Sequence, residues 1–214
     1  MESKTYKLIY ADPPWPYTKR PMDKGKKKIT EGTMGHNHAE NHYATMNKKE
    51  LVEEIGSLIE GLADPIGCLA FIWITNTHFP MAIELMERAG FQWVTMGFVW
   101  NKVNPNLGAY TNSQCEFVGI FKKGKPFVSL GKVQNPAMRQ YFMEKKTVHS
   151  RKPKGIRDNI AELFPTVSKI ELFARERTEG WDVWGNEVDK FSSPEEATVE
   201  SDDPKQISIY DQIK

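Results

Sequence analysis

The chain has 214 residues, 39% of them hydrophobic and 27% charged, with a formal net charge of +1, the composition of one globular domain that can bury its own core. No apolar run approaches the roughly 20 residues of a membrane span, and the opening MESKTYK is too polar and short for a secretory signal. Cys68 and Cys115 lack the spacing of a zinc site or a disulfide framework, so they read as buried reduced thiols in a cytoplasmic or nuclear protein. The charge is uneven: residues 189–214 hold seven acidic side chains against three lysines, a local −4 that leaves the preceding body at +5. Within that body, residues 19–28 (KRPMDKGKKK) carry six basic side chains against one acid, a density that suits a polyanion or a merely solvated loop.

In chain order, residues 6–11 (YKLIYA) are rich in strand formers and stop at Pro13 and Pro14, which predicts a short buried strand ending at Asp12. Residues 16–43 show no period and are rich in Lys, Gly, His, Asn and Pro, so they read as a long functional loop. Asn47 and Glu50 form an approximate capping box for a helix with Leu51, Ile55, Leu58, Ile59 and Leu62 on one face, closed by Asp64 and Pro65. The continuous apolar run 68–75 (CLAFIWIT) predicts a strand covered on both faces.

A second helix carries Met81, Ile83, Leu85 and Met86 and closes at Gly90, before strand-like segments at 91–100 and 116–121. Met81, Met86, Phe91, Trp93 and Met96 are expected in the core. Residues 156–164 (IRDNIAELF) predict a third helix, followed by strands at 169–173 (KIELF) and 181–184 (WDVW). Strands alternating with helices predict an α/β, doubly wound sheet that binds ligands at the carboxyl ends of its strands. The Ser-, Pro- and acid-rich segment from about residue 189 is expected to be a flexible tail beyond a single domain of residues 1–188.

Asp12, Pro13, Pro14 and Trp15 put a carboxylate, a rigid carbonyl-presenting turn and a large aromatic face at the ligand edge. A nucleobase amino group is a weak nucleophile because its lone pair is delocalised into the ring. An enzyme that alkylates it must accept hydrogen bonds from its N–H groups, as the Asp12 carboxylate and Pro13 carbonyl can, while successive prolines hold the turn with little entropy left to lose. Trp15 offers a surface on which an extruded base can stack. The plain alternative is that the proline pair only ends a strand and that Trp15 packs in the core.

The stretch ADPPW at residues 11–15 resembles the signature of the adenine-N6 methyltransferase family that includes the messenger-RNA adenosine methyltransferase and DNA-modifying bacterial and phage relatives. HYATM at 42–46, LAFIWIT at 69–75, HSRKP at 149–153 and the segment 169–186, ending in a Gly-Asn turn, resemble further family segments in the same order. The likeness spans roughly residues 6–188. It implies a Rossmann-like, S-adenosylmethionine-dependent α/β fold in which the catalytic motif precedes the cofactor segment, a permuted order.

Carried over by position, the resemblance implies catalytic roles for Asp12, Pro13, Pro14 and Trp15. It places Lys152 at the cofactor's carboxylate, Asp12 near its amino group, Arg175, Arg177 and Asn186 about its ribose, and Glu187 at its adenine. A lysine suits a carboxylate and Asn186 can both donate and accept. Equally, Lys152 could belong to a solvated basic turn, Arg175 and Arg177 could be surface charges, and Asn186 could merely tolerate a left-handed turn. Thr178 stands where the larger RNA enzyme has asparagine.

Lys19, Arg20, Lys24, Lys26, Lys27 and Lys28 are expected to bind a nucleic-acid backbone within a basic substrate loop at residues 16–45, with Tyr43 closing over the site. Asn101 and Lys102 end a strand beside a polar loop at 104–112 suited to substrate contact. His36, His38, Glu40 and His42 tempt a metal reading, but methyl transfer from a sulfonium needs no Lewis acid and no pattern fixes a coordination geometry, so no metal is expected. The reading is therefore methyl transfer from S-adenosylmethionine to N6 of adenine in DNA by in-line displacement. Its alternatives are RNA adenine or cytosine-N4 as acceptor, or a non-catalytic nucleic-acid-binding subunit of the same fold. Nothing in the sequence indicates a membrane, a partner subunit or a homodimer.

Overall fold

A computed structural model describes residues 4–16, 48–107, 110–147, 151–186 and 188. One seven-stranded sheet organises them, and among its interior strands is β1 (Leu8–Ala11), in which all four residues are buried. β1 pairs in parallel with β2 (Gly67–Ile74) on one side and with β6 (Lys169–Leu172) on the other. Beyond β6 lies β7 (Asp182–Trp184), also parallel. Beyond β2 lies β4 (Ser113–Gly124), which runs antiparallel to β2 and to β3 (Gln92–Asn106), and a short β5 (Tyr141–Met143) parallels β3 at that edge. The order is β5-β3-β4-β2-β1-β6-β7.

Side chains alternate across a strand, so β1 feeds two cores. Ile9 and Ala11 face Leu51, Ile55, Ile59, Leu85 and Met86. These come from the consecutive helical segments α1 (Lys48–Glu50), a π-helical turn (Leu51–Ile55) and α2 (Gly56–Leu62), and from α3 (Phe79–Arg88). Leu8 and Tyr10 face the opposite side with Phe71, Trp73, Ile156 and Ile160, where α5 (Lys154–Leu163) and the short α4 (Pro126–Leu130) lie. Helices on both faces of a mostly parallel sheet make the α/β, doubly wound architecture expected from the sequence.

Several details differ from expectation. The π turn inserts extra backbone per turn, and the apolar face drifts, so Val52 is buried while Leu58 and Leu62 are half-buried. The strand expected to end at residue 100 continues to Asn106, absorbing the first residues of the anticipated polar loop. Met86 and Phe91 are in the core, but Trp93 is 38% exposed and Met81 and Met96 are half-buried. β5 covers β3 only at Val99–Asn101, and the β3–β4 register shifts between Trp93 and Thr95, leaving the first half of β3 on an uncovered edge. Cys68 is buried, with its thiol pushed up to about 12 by burial, whereas Cys115 is only half-buried. Asn47, the expected helix cap, lies outside the described residues, as do residues 17–47 and the acidic segment from 189. No helix among the described residues is long and apolar enough to cross a membrane.

Lys169 begins β6 at 8% exposure, and its ammonium donates to the carbonyls of Pro165 at 3.0 Å and Val167 at 3.2 Å, with Phe164 at 3.5 Å. It thereby satisfies carbonyls of the helix cap and of the turn that joins α5 to β6. Lys169→Met should lower unfolding stability by about 1–3 kcal/mol, the cost of orphaned acceptors, as read by urea denaturation.

Candidate active site

The end of β1 is a topological switch point, because the strands on its two sides are reached by connections leaving in opposite directions; such points open a crevice at the carboxyl ends of the strands. Asp12 follows Ala11 directly at this point. Trp15 N–H donates to the Pro13 carbonyl at 2.8 Å, closing a three-residue turn about Pro14. The Pro13 carbonyl keeps a second lone pair. Trp15 itself is 7% exposed and donates from Nε1 to the Trp73 carbonyl at 2.9 Å. Its ring lies nearly parallel to the His78 imidazole, centroids 5.5 Å apart and planes 15° apart, so the described geometry has Trp15 packed, as the plain alternative held.

A ladder of alternating charge crosses the crevice. Lys152 Nζ lies 3.2 Å from Asp12 Oδ1 and 3.0 Å from Glu116 Oε2, and Glu116 Oε1 lies 3.2 Å from Lys102 Nζ. The Lys152 ammonium also sits 5.2 Å from the centre of the Trp73 ring, within cation–π range. Trp73 is held in turn by its Nε1–H donating to Tyr10 Oη at 2.6 Å. Burial opposes ionisation of Glu116, but the Lys152 and Lys102 ammonium groups outweigh it and hold the carboxyl at about 2. Lys102, expected at a strand end and in contact with substrate, is 6% exposed and committed to Glu116. Asn101 is likewise engaged internally: Oδ1 accepts from Val103 N–H and Gln114 Nε2, and Nδ2 donates to Tyr141 Oη.

The other wall comes from the end of β6 and the start of α5. Phe173 has φ 60, a strained left-handed conformation for a bulky residue. Its ring meets Trp184 edge-on at 5.4 Å, and Ala174 N–H donates to the Trp184 carbonyl at 3.1 Å. Gly185 lets this loop approach, since a Cβ there would lie 2.9 Å from Ala174 N and O. Arg157 bridges Glu171 at 2.9 Å and Glu176 at 2.7 Å, and Lys154 and Arg151 also reach Glu176. Burial lifts the Glu171 carboxyl above its usual range despite Arg157; at Glu176 burial acts the same way, but Arg157 and Lys154 outweigh it and hold the group low.

Between these walls lies a cleft, open to solvent, lined among others by Asp12, Trp73, Lys152, Arg157, Phe173 and Arg175. Of the expected cofactor residues the structure brings Asp12, Lys152 and Arg175 together. Arg177 and Asn186 are exposed and outside the lining. Glu187, Tyr43, Lys19, Arg20, Lys24, Lys26, Lys27 and Lys28 lie outside the described residues, as do the histidines of residues 36–42. Sequence reasoning missed Glu116, His78 and the Arg157–Glu176 pair; only their positions at strand ends or after HSRKP could have pointed to them.

Paired carboxylates and ammonium groups over aromatic rings thus line a cleft at the switch point of a Rossmann-like α/β sheet. The MT-A70 family profile matches residues 6–187, and the chain belongs to the MT-A70 family. The family and the fold expected from the sequence therefore hold, and with them the enzyme class, a methyltransferase. The chain is 38% identical over 206 residues to the Type II methyltransferase M.MunI of a Mycoplasma species, a match covering 92% of this chain and 84% of that protein. It is 28% identical to the N6-methyladenosine RNA methyltransferase MTA1 of Cryphonectria parasitica, over 91% of this chain and 55% of that one. With the human N(6)-adenine-specific methyltransferase METTL4 it shares 29% identity, over 88% of this chain and 38% of that one.

Glu116 has a depressed carboxyl in the folded state, so its stabilising contribution is present above the unfolded value near 4.5 and is lost as pH falls towards about 2. Urea unfolding from pH 5 down to pH 2 should show the wild type losing on the order of 3 kcal/mol more than Glu116→Gln over that window. Equal losses would contradict the charge ladder.

Proposed function

We propose that the protein transfers the methyl group of S-adenosylmethionine to the N6 amino group of adenine in DNA. The observation that carries this reading is Asp12 held beside Lys152 at the carboxyl end of β1, directly before the Pro13–Trp15 turn. The choice of DNA rests on the relative matched over the largest share of its own length, a type II methyltransferase of similar size. A second reading, RNA adenine, draws on the relative named as an RNA methyltransferase.

The residues of the cleft fit the cofactor. A zwitterionic amino-acid end needs an ammonium for its carboxylate and carboxylates for its amino group, and Lys152 lies beside Asp12 and Glu116. Arg157 Nε, a buried donor at the cleft wall, has no acceptor among the described residues. When bound, S-adenosylmethionine supplies an electrophilic methyl group on a sulfonium centre. Lys152 would hold its carboxylate and Arg175, in the same lining, its nucleoside; Arg177, Asn186 and Glu187 are assigned to the nucleoside by family position alone.

The chain's own part is orientation. The Asp12 carboxylate and the remaining Pro13 lone pair accept the two N–H bonds of the adenine amino group, turning its nitrogen lone pair towards the cleft. The methylated nitrogen is strongly acidic, so the Asp12 carboxylate suffices to receive its proton as it passes to water. The low exposure around Trp15 and Trp73 excludes water that would compete for those N–H groups. Lys19, Arg20 and the lysines at 24–28 would neutralise backbone phosphates, with Tyr43 over the base and no metal involved. A methyltransferase domain of residues 1–188, an acidic tail and a cytoplasmic location complete the reading.

The test is to incubate the purified protein with isotopically labelled S-adenosylmethionine and separate DNA and RNA pools, then identify labelled nucleosides by mass spectrometry. N6-methyldeoxyadenosine is expected, reduced about 100-fold or more in Asp12→Ala; label confined to RNA or to cytosine would overturn the substrate. Lys152→Met should weaken cofactor binding about 10- to 100-fold by calorimetry, the worth of a charge-assisted hydrogen bond.

A further inference from the structure

His78 lies at the N-cap of α3, four residues beyond the end of β2, and touches none of the charged groups of the cleft ladder. It is 9% exposed. Its Nε2 is 2.9 Å from the Pro16 carbonyl, and its Nδ1 is 2.6 Å from Thr75 Oγ1 and 3.3 Å from Thr77 Oγ1. A carbonyl only accepts, so Nε2 carries the proton and donates; Nδ1 is then the acceptor, and the Thr75 hydroxyl donates to it. The tautomer is therefore set by the partners, and burial favours this neutral form. The same ring lies flat against Trp15 at 5.5 Å.

One imidazole thus grips the chain immediately after Asp12 at two points: the Trp15 ring by stacking and the Pro16 carbonyl by a hydrogen bond. A third restraint on the segment is the Trp15 Nε1–H bond to the Trp73 carbonyl. Pro13, Pro14 and Pro16 cannot donate backbone hydrogen bonds, so the segment cannot join a strand, and side chains must supply its anchoring. A residue with neither a hydrogen-bonding edge nor a flat face could not replace His78 in both roles.

We propose that His78 is a positioning residue for methyl transfer, acting through Trp15 and Pro16 to hold the Asp12 carboxylate and the Pro13 carbonyl at the angle the acceptor amino group needs. The inference rests on the methyl-transfer reading for its kinetic consequence and on the structure alone for the restraint. Displacements of about 1 Å in a reacting geometry cost up to ~100-fold in rate, so the effect belongs in kcat. Lys152 and Arg175 are untouched, and only Asp12 links the restraint to the cofactor side of the cleft, so any rise in the KM for cofactor should be smaller than the fall in kcat.

The experiment compares the full-length wild type with His78→Ala, His78→Phe, which keeps a stacking ring but no hydrogen bonds, and His78→Gln, which keeps an amide donor but loses the ring. Steady-state kinetics on an adenine-containing duplex are measured alongside 15N spectra of the tryptophan indoles, with the Trp15 resonance assigned by Trp15→Phe. The expected result is a kcat about 10- to 100-fold lower in His78→Ala, partly restored in His78→Gln, with a smaller change in cofactor KM and faster solvent exchange of the Trp15 indole N–H. Thr75→Val removes the donor to Nδ1 without touching the ring, and should show a smaller change of the same kind if His78→Ala fails to fold. Unchanged kcat and indole exchange in the variants would overturn the proposal, as would a rise in cofactor KM with kcat intact. Should the wild type transfer no methyl to adenine, the functional reading fails, and indole exchange alone still decides whether His78 restrains Trp15.

Discussion

Everything in this molecule hangs on a four-residue strand with no solvent on either face. β1 is hydrogen-bonded to β2 and β6 and packed on both sides, with Leu8, Ile9 and Ala11 fully buried and Tyr10 nearly so. A strand so confined cannot bend or slide, because a one-residue slip would exchange the two core faces. The residue at its end inherits that rigidity, and that residue is Asp12. The proline pair then forces the backbone out of the sheet at the one place where neighbouring connections diverge. The carboxylate is placed by the core and not by the loop that follows it.

Around that fixed point the protein gathers charge at considerable electrostatic cost. Lys102, Glu116, Lys152 and Asp12 alternate in sign, and each neighbour offsets the desolvation of the next. Trp73 links the ladder to the core: its ring faces the Lys152 ammonium and its Nε1–H reaches Tyr10 of β1. On the opposite wall Arg157 draws Glu171 and Glu176 together behind the strained turn at Phe173. Strain of that kind persists only where surrounding packing over-determines it, and the Gly185 approach and the Trp184 ring supply that packing.

The two halves of the cleft suit different tasks. The wall made by Asp12, the Pro13 carbonyl and the buried Trp15 presents acceptors and excludes water, which serves an amino group. The mixed-charge floor at Lys152 and Glu116 serves a zwitterion. Asp12 belongs to both, and its pairing with Lys152 couples them. His78 stands behind the first wall and reaches the second only through Asp12, so its effect on orientation exceeds its effect on cofactor affinity.

Read alone, the sequence determined the strands and helices whose apolar residues recur at clear periods, the α/β class, the DPPW turn and its place after a buried strand, and, through five stretches in order, the family. These are local or family-wide signals, carried by contiguous residues. Tertiary structure decided what no periodicity encodes. Lys102 reads as a strand-end lysine open to substrate, yet it is buried against Glu116, 14 residues away on the neighbouring strand. His78 becomes the partner of Trp15 and Pro16 only because β2 ends beside β1, and Trp93, edge-on to Phe121 across the strand pair, stays 38% exposed. Pairings across 14 to 62 positions depend on strand order and register, which fix which side chains meet and leave no mark on the chain nearby.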